Sequence, residues 1–349
     1  MKGYVLYGKN NISFENIPEP LHLDNEVVVK VEATGICGSD IPRIYHTGAY
    51  THPLIPGHEF SGKVIEVGKM SDKKWINKRV GIYPLIPCNS CISCKKKQYE
   101  MCKNYSYLGS RRDGGFAEYV AVPERNLIEL PETVSYEEAA MLEPMSVAAH
   151  AMRRINPNRQ DVAVVYGLGT IGLLLLMFLR EAGIEKILVI GNKDIQKQCV
   201  LRMGMDITNY CDTKNQDVGS WLMEKTEGKG ADILFECIGR NEIVVQAIDF
   251  TAPAGRIMLV GNPYSDMNIE KQVYWKILRK QLTVMGTWNS SFTGEKQDDW
   301  YYVLERLEKK LVNPVDLISH RFSLAKLEKG FHIMRDKSED YVKILGLIN

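Results

Sequence analysis

No apolar run in these 349 residues is longer than Leu173–Leu179, far short of the roughly 20 residues that a membrane-spanning helix needs. Neither sign of charge dominates: 44 Lys plus Arg face 43 Asp plus Glu, a formal net charge of +1. The chain therefore has no long-range field to draw nucleic acid or an anionic membrane, and a small molecule is the expected partner. The opening residues Met1–Gly8 hold neither an apolar stretch of signal-peptide length nor a small-residue cleavage site, which makes the cytoplasm the expected compartment. Internal repeats, low-complexity tracts and long flexible linkers are missing as well.

What is present is enough chain for two cores. Residues 1–145 read as β-rich, with short β-branched runs such as Glu26–Val31, Gly62–Val67 and Arg79–Tyr83 separated by Gly, Pro and Asn turn signals, the pattern of a barrel or sandwich. Over 146–288 the rhythm becomes strand, helix, strand. Candidate strands are Asp161–Tyr166, Lys186–Ile190, Asp232–Cys237, Arg256–Val260 and Leu282–Met285, and candidate helices are Thr170–Ala182, Ile195–Met203 and Asn241–Thr251. From 289 the tail, with an amphipathic segment at Trp300–Lys309, looks unlike the block before it and suits the first domain better.

Gly167-Leu168-Gly169-Thr170-Ile171-Gly172 follows an apolar strand and opens an apolar helix. In that context G-x-G-x-x-G is a dinucleotide loop: a tight turn at Gly167, backbone approach to a pyrophosphate at Gly169, and close helix-to-strand packing at Gly172. At the end of the second strand, where an acidic residue would hold the ribose 2′-hydroxyl of NAD, stand Gly191, Asn192 and Lys193. The missing carboxylate and the added cation favour NADP(H) over NAD(H). Asp194, displaced along the chain, is the alternative that would serve NAD.

Four of the eight cysteines crowd into Cys88-x2-Cys91-x2-Cys94-x7-Cys102, a set that closes a tetrahedral, structural zinc site. Cys37, His58 and a carboxylate, either Glu59 or Glu143, could form a second site with three protein ligands and one open position, the pattern of a catalytic zinc.

Cys37-Gly38-Ser39-Asp40, Gly57-His58-Glu59, the four-cysteine loop, Asp113-Gly114-Gly115-Phe116-Ala117-Glu118-Tyr119 and the glycine loop stand in the order found in zinc-dependent medium-chain dehydrogenase/reductases, which the whole chain resembles. Glu143-Pro144-Met145-Ser146 resembles the polyol, sorbitol dehydrogenase-like branch. Gly109-Ser110-Arg111-Arg112-Asp113, Ile41-Pro42-Arg43 and Lys276-Ile277-Leu278-Arg279-Lys280 resemble its galactitol 1-phosphate type. That resemblance implies a substrate phosphate, for which Arg111 and Arg112, with Arg43, are the candidates, because guanidinium groups meet phosphate oxygens in bidentate geometry.

The resemblance implies an α/β protein. A GroES-like β-barrel catalytic domain (1–145, completed by 289–349) would flank an inserted Rossmann domain with a doubly wound parallel sheet (146–288). It implies one catalytic and one structural Zn2+ per chain, with Cys37, His58 and Glu59 or Glu143 at the catalytic ion, Asp40 orienting His58, and Ser39 as proton relay. It places Lys343 where relatives contact cofactor phosphate, and Gly191-Asn192-Lys193 with Tyr210 looks like NADP-dependent members. The implied reaction moves hydride between NADP(H) or NAD(H) and a secondary alcohol or ketone, the substrate being a sugar alcohol or its phosphate. Alternatives are an unphosphorylated polyol, butanediol or threonine dehydrogenase, and, from another class, a non-catalytic zinc- and dinucleotide-binding regulator. Pairing of Leu282–Met285 across a two-fold axis would give a homodimer or homotetramer.

Overall fold

A computed structural model describes residues 1–348. The chain separates into two compact units, Met1–Ser146 together with the segment from Ser290 onward, and Val147–Asn289. None of the described helices is long and apolar enough to cross a membrane.

The first unit is built on the strand Glu26–Ile36, whose valines at 27, 28, 29 and 31 are all buried. It pairs antiparallel with Glu59–Val67 on one edge, and with Tyr119–Pro123 and then Lys343–Leu347 along the other. Arg79–Ile82 and Leu127–Glu129 extend the sheet beyond Glu59–Val67, and Ile318–Ser323 extends it beyond Lys343–Leu347. The tail thus supplies two strands of the same sheet as the N-terminal segment, the GroES-like arrangement. Tyr4, Phe60, Phe116, Phe331 and Ile344 fill one core around these strands. The amphipathic stretch near Trp300 forms the helix Asp299–Glu308, with Trp300, Val303, Leu304 and Leu307 inward at helical spacing.

The second unit is a six-stranded, wholly parallel sheet: β1 (Val162–Tyr166), β2 (Lys186–Gly191), β3 (Tyr210–Asp212), β4 (Ala231–Glu236), β5 (Thr251–Leu259) and β6 (Thr283–Gly286), in the order 3-2-1-4-5-6. That is the doubly wound dinucleotide-binding order. Val164, Leu188, Leu234 and Ile257 stand side by side on neighbouring strands and are buried together. The strand β3 and the helices Val218–Lys225 and Lys271–Arg279 add to the elements read from the sequence; three residues of strand are too few to carry a periodic signal.

Candidate active site

In the Cys88–Cys102 loop the four sulfur atoms lie within 4.8 Å of one another. Cys88 to Cys94 is 3.9 Å, Cys91 to Cys94 3.5 Å and Cys91 to Cys102 3.9 Å. Four thiolates at about 2.3 Å from one ion would be about 3.8 Å apart, whereas a disulfide needs about 2.05 Å. The cysteines are all free. The Ser90 hydroxyl and neighbouring backbone N–H groups pull the Cys88 thiol down to about 5, and burial pushes Cys94 up to about 12.

A second cluster forms because of strand register. Gly35, near the end of Glu26–Ile36, pairs with Glu59, the first residue of Glu59–Val67, so Cys37 just past one strand meets His58 just before the other. One ligand atom each from Cys37, His58 and Glu59 lies within 4.8 Å of the others. The loop before His58 is braced from behind. Asp113 accepts from the Ile55 N–H at 2.8 Å, and Gly115 donates to the Gly57 carbonyl at 2.8 Å. Gly57 is in the left-handed region with φ +94°, and a side chain there would run into the Phe116 ring. The Asp-Gly-Gly-Phe motif is therefore scaffolding for the histidine.

Asp40 is fully buried beside this cluster. One of its oxygens takes the Cys37 N–H at 3.0 Å, and the other takes Arg43 Nη1 at 2.5 Å. That second oxygen stands 3.5 Å from His58 Nδ1, longer than a good hydrogen bond, and Nδ1 is buried without an acceptor. Burial opposes charge on His58, but Asp40 and Cys37 outweigh it and raise the imidazole well above its usual value. Burial likewise opposes charge on Asp40, but His58 and Arg43 hold its carboxyl below the ordinary range. Ser39 donates its hydroxyl to Cys37 Sγ at 3.3 Å.

The two carboxylate candidates are separated by geometry. Glu59 belongs to the cluster, whereas Glu143, at the start of the helix Leu142–Ile155, accepts from the Tyr107 hydroxyl at 3.0 Å. Burial, aided by Glu59, pushes Glu143 up to about 7 against the pull of His58. Tyr107 in turn packs its ring edge-on against His58 at 5.7 Å.

The three arginines have different fates. Arg43 is held by Asp40, and Arg112 Nη1 by Glu26 at 2.6 Å, where the carboxylate is 2% exposed. Both are paired with buried carboxylates of the same unit. Arg111 has no carboxylate partner among the described residues. Its guanidinium lies 4.3 Å from the Tyr50 ring centroid and 4.2 Å from that of Tyr105, and Nη1 donates to the Tyr105 carbonyl at 2.8 Å.

In the glycine loop, Gly167 takes φ +103° and Gly169 caps the helix Thr170–Glu181. A methyl at Gly172 would land on the Gly167 carbonyl oxygen, whereas one at Gly169 would meet nothing within 4 Å. Gly172 thus serves packing, and Gly169 leaves open backbone at a helix N-terminus, where a pyrophosphate is stabilised. At the end of β2 a side chain on Gly191 would meet Gln196 Oε1 at 2.9 Å and the Tyr210 hydroxyl at 3.2 Å. Asn192 is exposed and Lys193 half-buried.

Residues 23–132 match the family model described as the alcohol dehydrogenase GroES-like domain, and residues 170–309 match that of the zinc-binding dehydrogenases. The chain is 33% identical over 308 residues to the galactitol 1-phosphate 5-dehydrogenase of Escherichia coli K12, covering 88% of each chain. It belongs to the zinc-dependent medium-chain dehydrogenase/reductases. The sorbitol dehydrogenase of Halalkalibacterium halodurans is 31% identical over 346 residues, 97% of this chain and 96% of that one. The crystal structure of galactitol-1-phosphate dehydrogenase from Escherichia coli superposes with a TM-score of 0.91 at 29% identity, over 99% of this chain and all of the other. The protein is an alcohol or polyol oxidoreductase of the polyol branch.

As a member of that family it carries donor sets that fit its metal. Four sulfur atoms suit a closed zinc, while one sulfur, one imidazole and one carboxylate suit an open one. Three relationships were not visible in the sequence. Tyr107 ties Glu143 to the face of His58. Tyr50 and Tyr105 flank Arg111. Lys343, expected at a cofactor phosphate, is 2% exposed, and its ammonium donates to Glu59 and, at 3.1 Å, to the Ile36 carbonyl. Its head group is thus turned to the Cys37 cluster and away from solvent. The crowded tyrosines between Cys94 and Asp113 were the one available signal, and they follow no period.

Proposed function

We propose that this dehydrogenase oxidises a secondary hydroxyl of a sugar alcohol or sugar-alcohol phosphate to the ketone, and runs the reverse reduction, with NADP(H) preferred over NAD(H). The observation that carries the reading is the convergence of Cys37, His58 and Glu59, with the Ser39 hydroxyl 3.3 Å from the Cys37 sulfur, in a chain that also holds a dinucleotide loop. These three residues would hold the zinc, with Glu143 the alternative oxygen donor. When bound, the metal supplies Lewis-acid withdrawal of electrons from the alcohol hydroxyl and the nicotinamide supplies a hydride acceptor.

The chain's own residues do the rest. Ser39, half-buried beside Cys37, takes the hydroxyl proton and passes it outward. Asp40 and Tyr107 fix the position of the imidazole from two sides. The reaction then balances: the alcohol loses a hydride from carbon and a proton from oxygen. Gly167, Gly169, Thr170, Ile171 and Gly172 would seat the pyrophosphate, and Asn192, Lys193 and Tyr210 the adenosine end. Position 191 has no carboxylate, and a side chain there would crowd Gln196 Oε1 and the Tyr210 hydroxyl, which supports NADP(H). The Cys88–Cys102 set would hold the structural ion.

The outer edge of β6 is unpaired among the described residues, and Val284, Trp275, Leu278 and Trp288 are exposed near it in the chain. Pairing with a second copy of the chain covers such an edge, which supports a homodimer. The deciding experiment for the function is a steady-state assay of polyols and polyol phosphates with both cofactors. Turnover of a secondary polyol hydroxyl with higher kcat/KM for NADP is the expected result; no turnover of any polyol or polyol phosphate would sink the reading.

A further inference from the structure

Among the described residues, Arg111 is a cation with no carboxylate partner, next to the residues that hold His58. Of its five N–H donors, one meets the Tyr105 carbonyl; Nε is buried with no acceptor. Nη2 takes no protein acceptor and is not among the buried unpaired atoms. The guanidinium carbon lies over the rings of Tyr50 and Tyr105, 4.3 and 4.2 Å from their centroids, so two aromatic rings hold the cation in place. The Tyr105 ring lies 6.1 Å from Tyr107, and Tyr107 5.7 Å from His58. Two aromatic rings therefore link this cation to the Cys37 cluster. Arg43 and Arg112, by contrast, are already neutralised by Asp40 and Glu26.

We infer that Arg111, positioned by Tyr50 and Tyr105, is the anion-recognising residue of the substrate site, and that the preferred substrate carries an oxyanion, a phosphate ester or a carboxylate, at a distance from the hydroxyl being oxidised. The inference rests on the polyol reading above and narrows it. The Nη2 group of a guanidinium, charged and without a protein acceptor, is matched by an oxygen of an oxyanion, and contact with two rings pre-organises it, so that little freedom is lost on binding. A free polyol has no group that meets it as a charge.

The test compares three probes on the zinc-loaded enzyme: a hexitol 1-phosphate, the corresponding hexonate and the free hexitol. The wild type is expected to favour one of the two anionic probes over the free hexitol by about 30-fold or more in kcat/KM, and which of them wins identifies the phosphate or the carboxylate. In Arg111→Ala that ratio should fall at least tenfold, mainly through KM. Arg111→Lys, a point charge in place of a fork, should recover only part. Tyr50→Leu and Tyr105→Leu should raise KM for the anionic probe more than they lower kcat. Inorganic phosphate should compete with the anionic probe in the wild type and stop doing so in Arg111→Ala. Tyr50 is 72% exposed, so its variant keeps the test valid even if the others fold badly. An unchanged ratio in Arg111→Ala and Tyr50→Leu overturns the inference. A wild type that prefers the free hexitol overturns it too, while leaving the polyol reading standing. A wild type inactive on all three overturns both.

Discussion

Lys343 and Glu59, 284 positions apart in the chain, meet as an ion pair with each side chain 2% exposed. Two strand registers bring them together: Ile344 pairs with Ile36, and Gly35 pairs with Glu59. Gly35 stands between them. A Cβ there would press on the Glu59 carboxylate and come within 2.9 Å of Lys343 Cε, so the absence of a side chain makes the pair possible. Glu59 is also one of the three residues gathered at the candidate zinc site, which ties the charge balance of that site to the last strand.

Removing the ammonium should leave a buried, uncompensated carboxylate. Lys343→Met is expected to cost about 3 kcal/mol in metal-stripped protein and less in zinc-loaded protein, where the cation would take over the charge of Glu59. Adding Glu59→Gln should recover more than half of the loss. Urea midpoints of the wild type, Lys343→Met and the double variant, with and without zinc, check this, and a Lys343→Met protein as stable as the wild type in the metal-stripped form contradicts it.

The glycine loop predicts two different failures. Gly172→Ala drives a methyl into the Gly167 carbonyl, so the unfolding temperature should drop by several degrees. Gly169→Ala meets no protein atom within 4 Å and should fold normally while losing tenfold or more in cofactor affinity, because the methyl occupies the path of the pyrophosphate. Thermal melts and cofactor titrations read the two effects separately; a Gly169→Ala protein with unaltered affinity would mean that the loop does not hold the cofactor.

The two proposed zinc sites should differ in how they lose metal. Four thiolates in a closed shell hold zinc more firmly than a set that mixes sulfur, nitrogen and oxygen and leaves a position open. Mild chelation should take metal content from about two ions per chain to about one, abolishing activity before it alters the fold. Cys94→Ser should remove the other ion and lower stability. Equal loss of both ions under mild chelation argues against the assignment.

Cofactor choice should resist a single substitution. Gly191→Asp introduces the carboxylate that NAD-dependent relatives of the fold use, but its side chain must displace Gln196 and the Tyr210 hydroxyl. The variant is expected to lose at least tenfold in kcat/KM with NADP and to gain less than that with NAD. Full conversion to NAD by this one change would show that Tyr210 does not crowd the position.

An apolar edge that pairs two copies should be broken by charge. Val284→Glu, on the 41%-exposed outer position of β6, should convert the proposed dimer to monomer, as read by sedimentation velocity. A wild type that sediments as a monomer removes the dimer from the proposal.

Much of this was legible in the residues themselves. Gly167-x-Gly169-x-x-Gly172 and the Cys88–Cys102 spacing carry their meaning locally, because a turn or a metal loop is made by neighbours in the chain. The parallel strands β1, β2, β4, β5 and β6 were visible as apolar runs, and β3 was not, being only Tyr210–Asp212. Tertiary structure alone decided what depends on register and packing: that the Glu59 carboxylate lies beside Cys37 and His58 while Glu143 accepts from Tyr107, that Arg43 and Arg112 are ion-paired while Arg111 lies over two tyrosine rings, and that Lys343 faces Glu59. Spacing along a chain can state which donors exist. Which of them come together is fixed by strand pairing, between segments tens of residues apart for Cys37 and His58 and nearly three hundred apart for Glu59 and Lys343, and no local pattern encodes that.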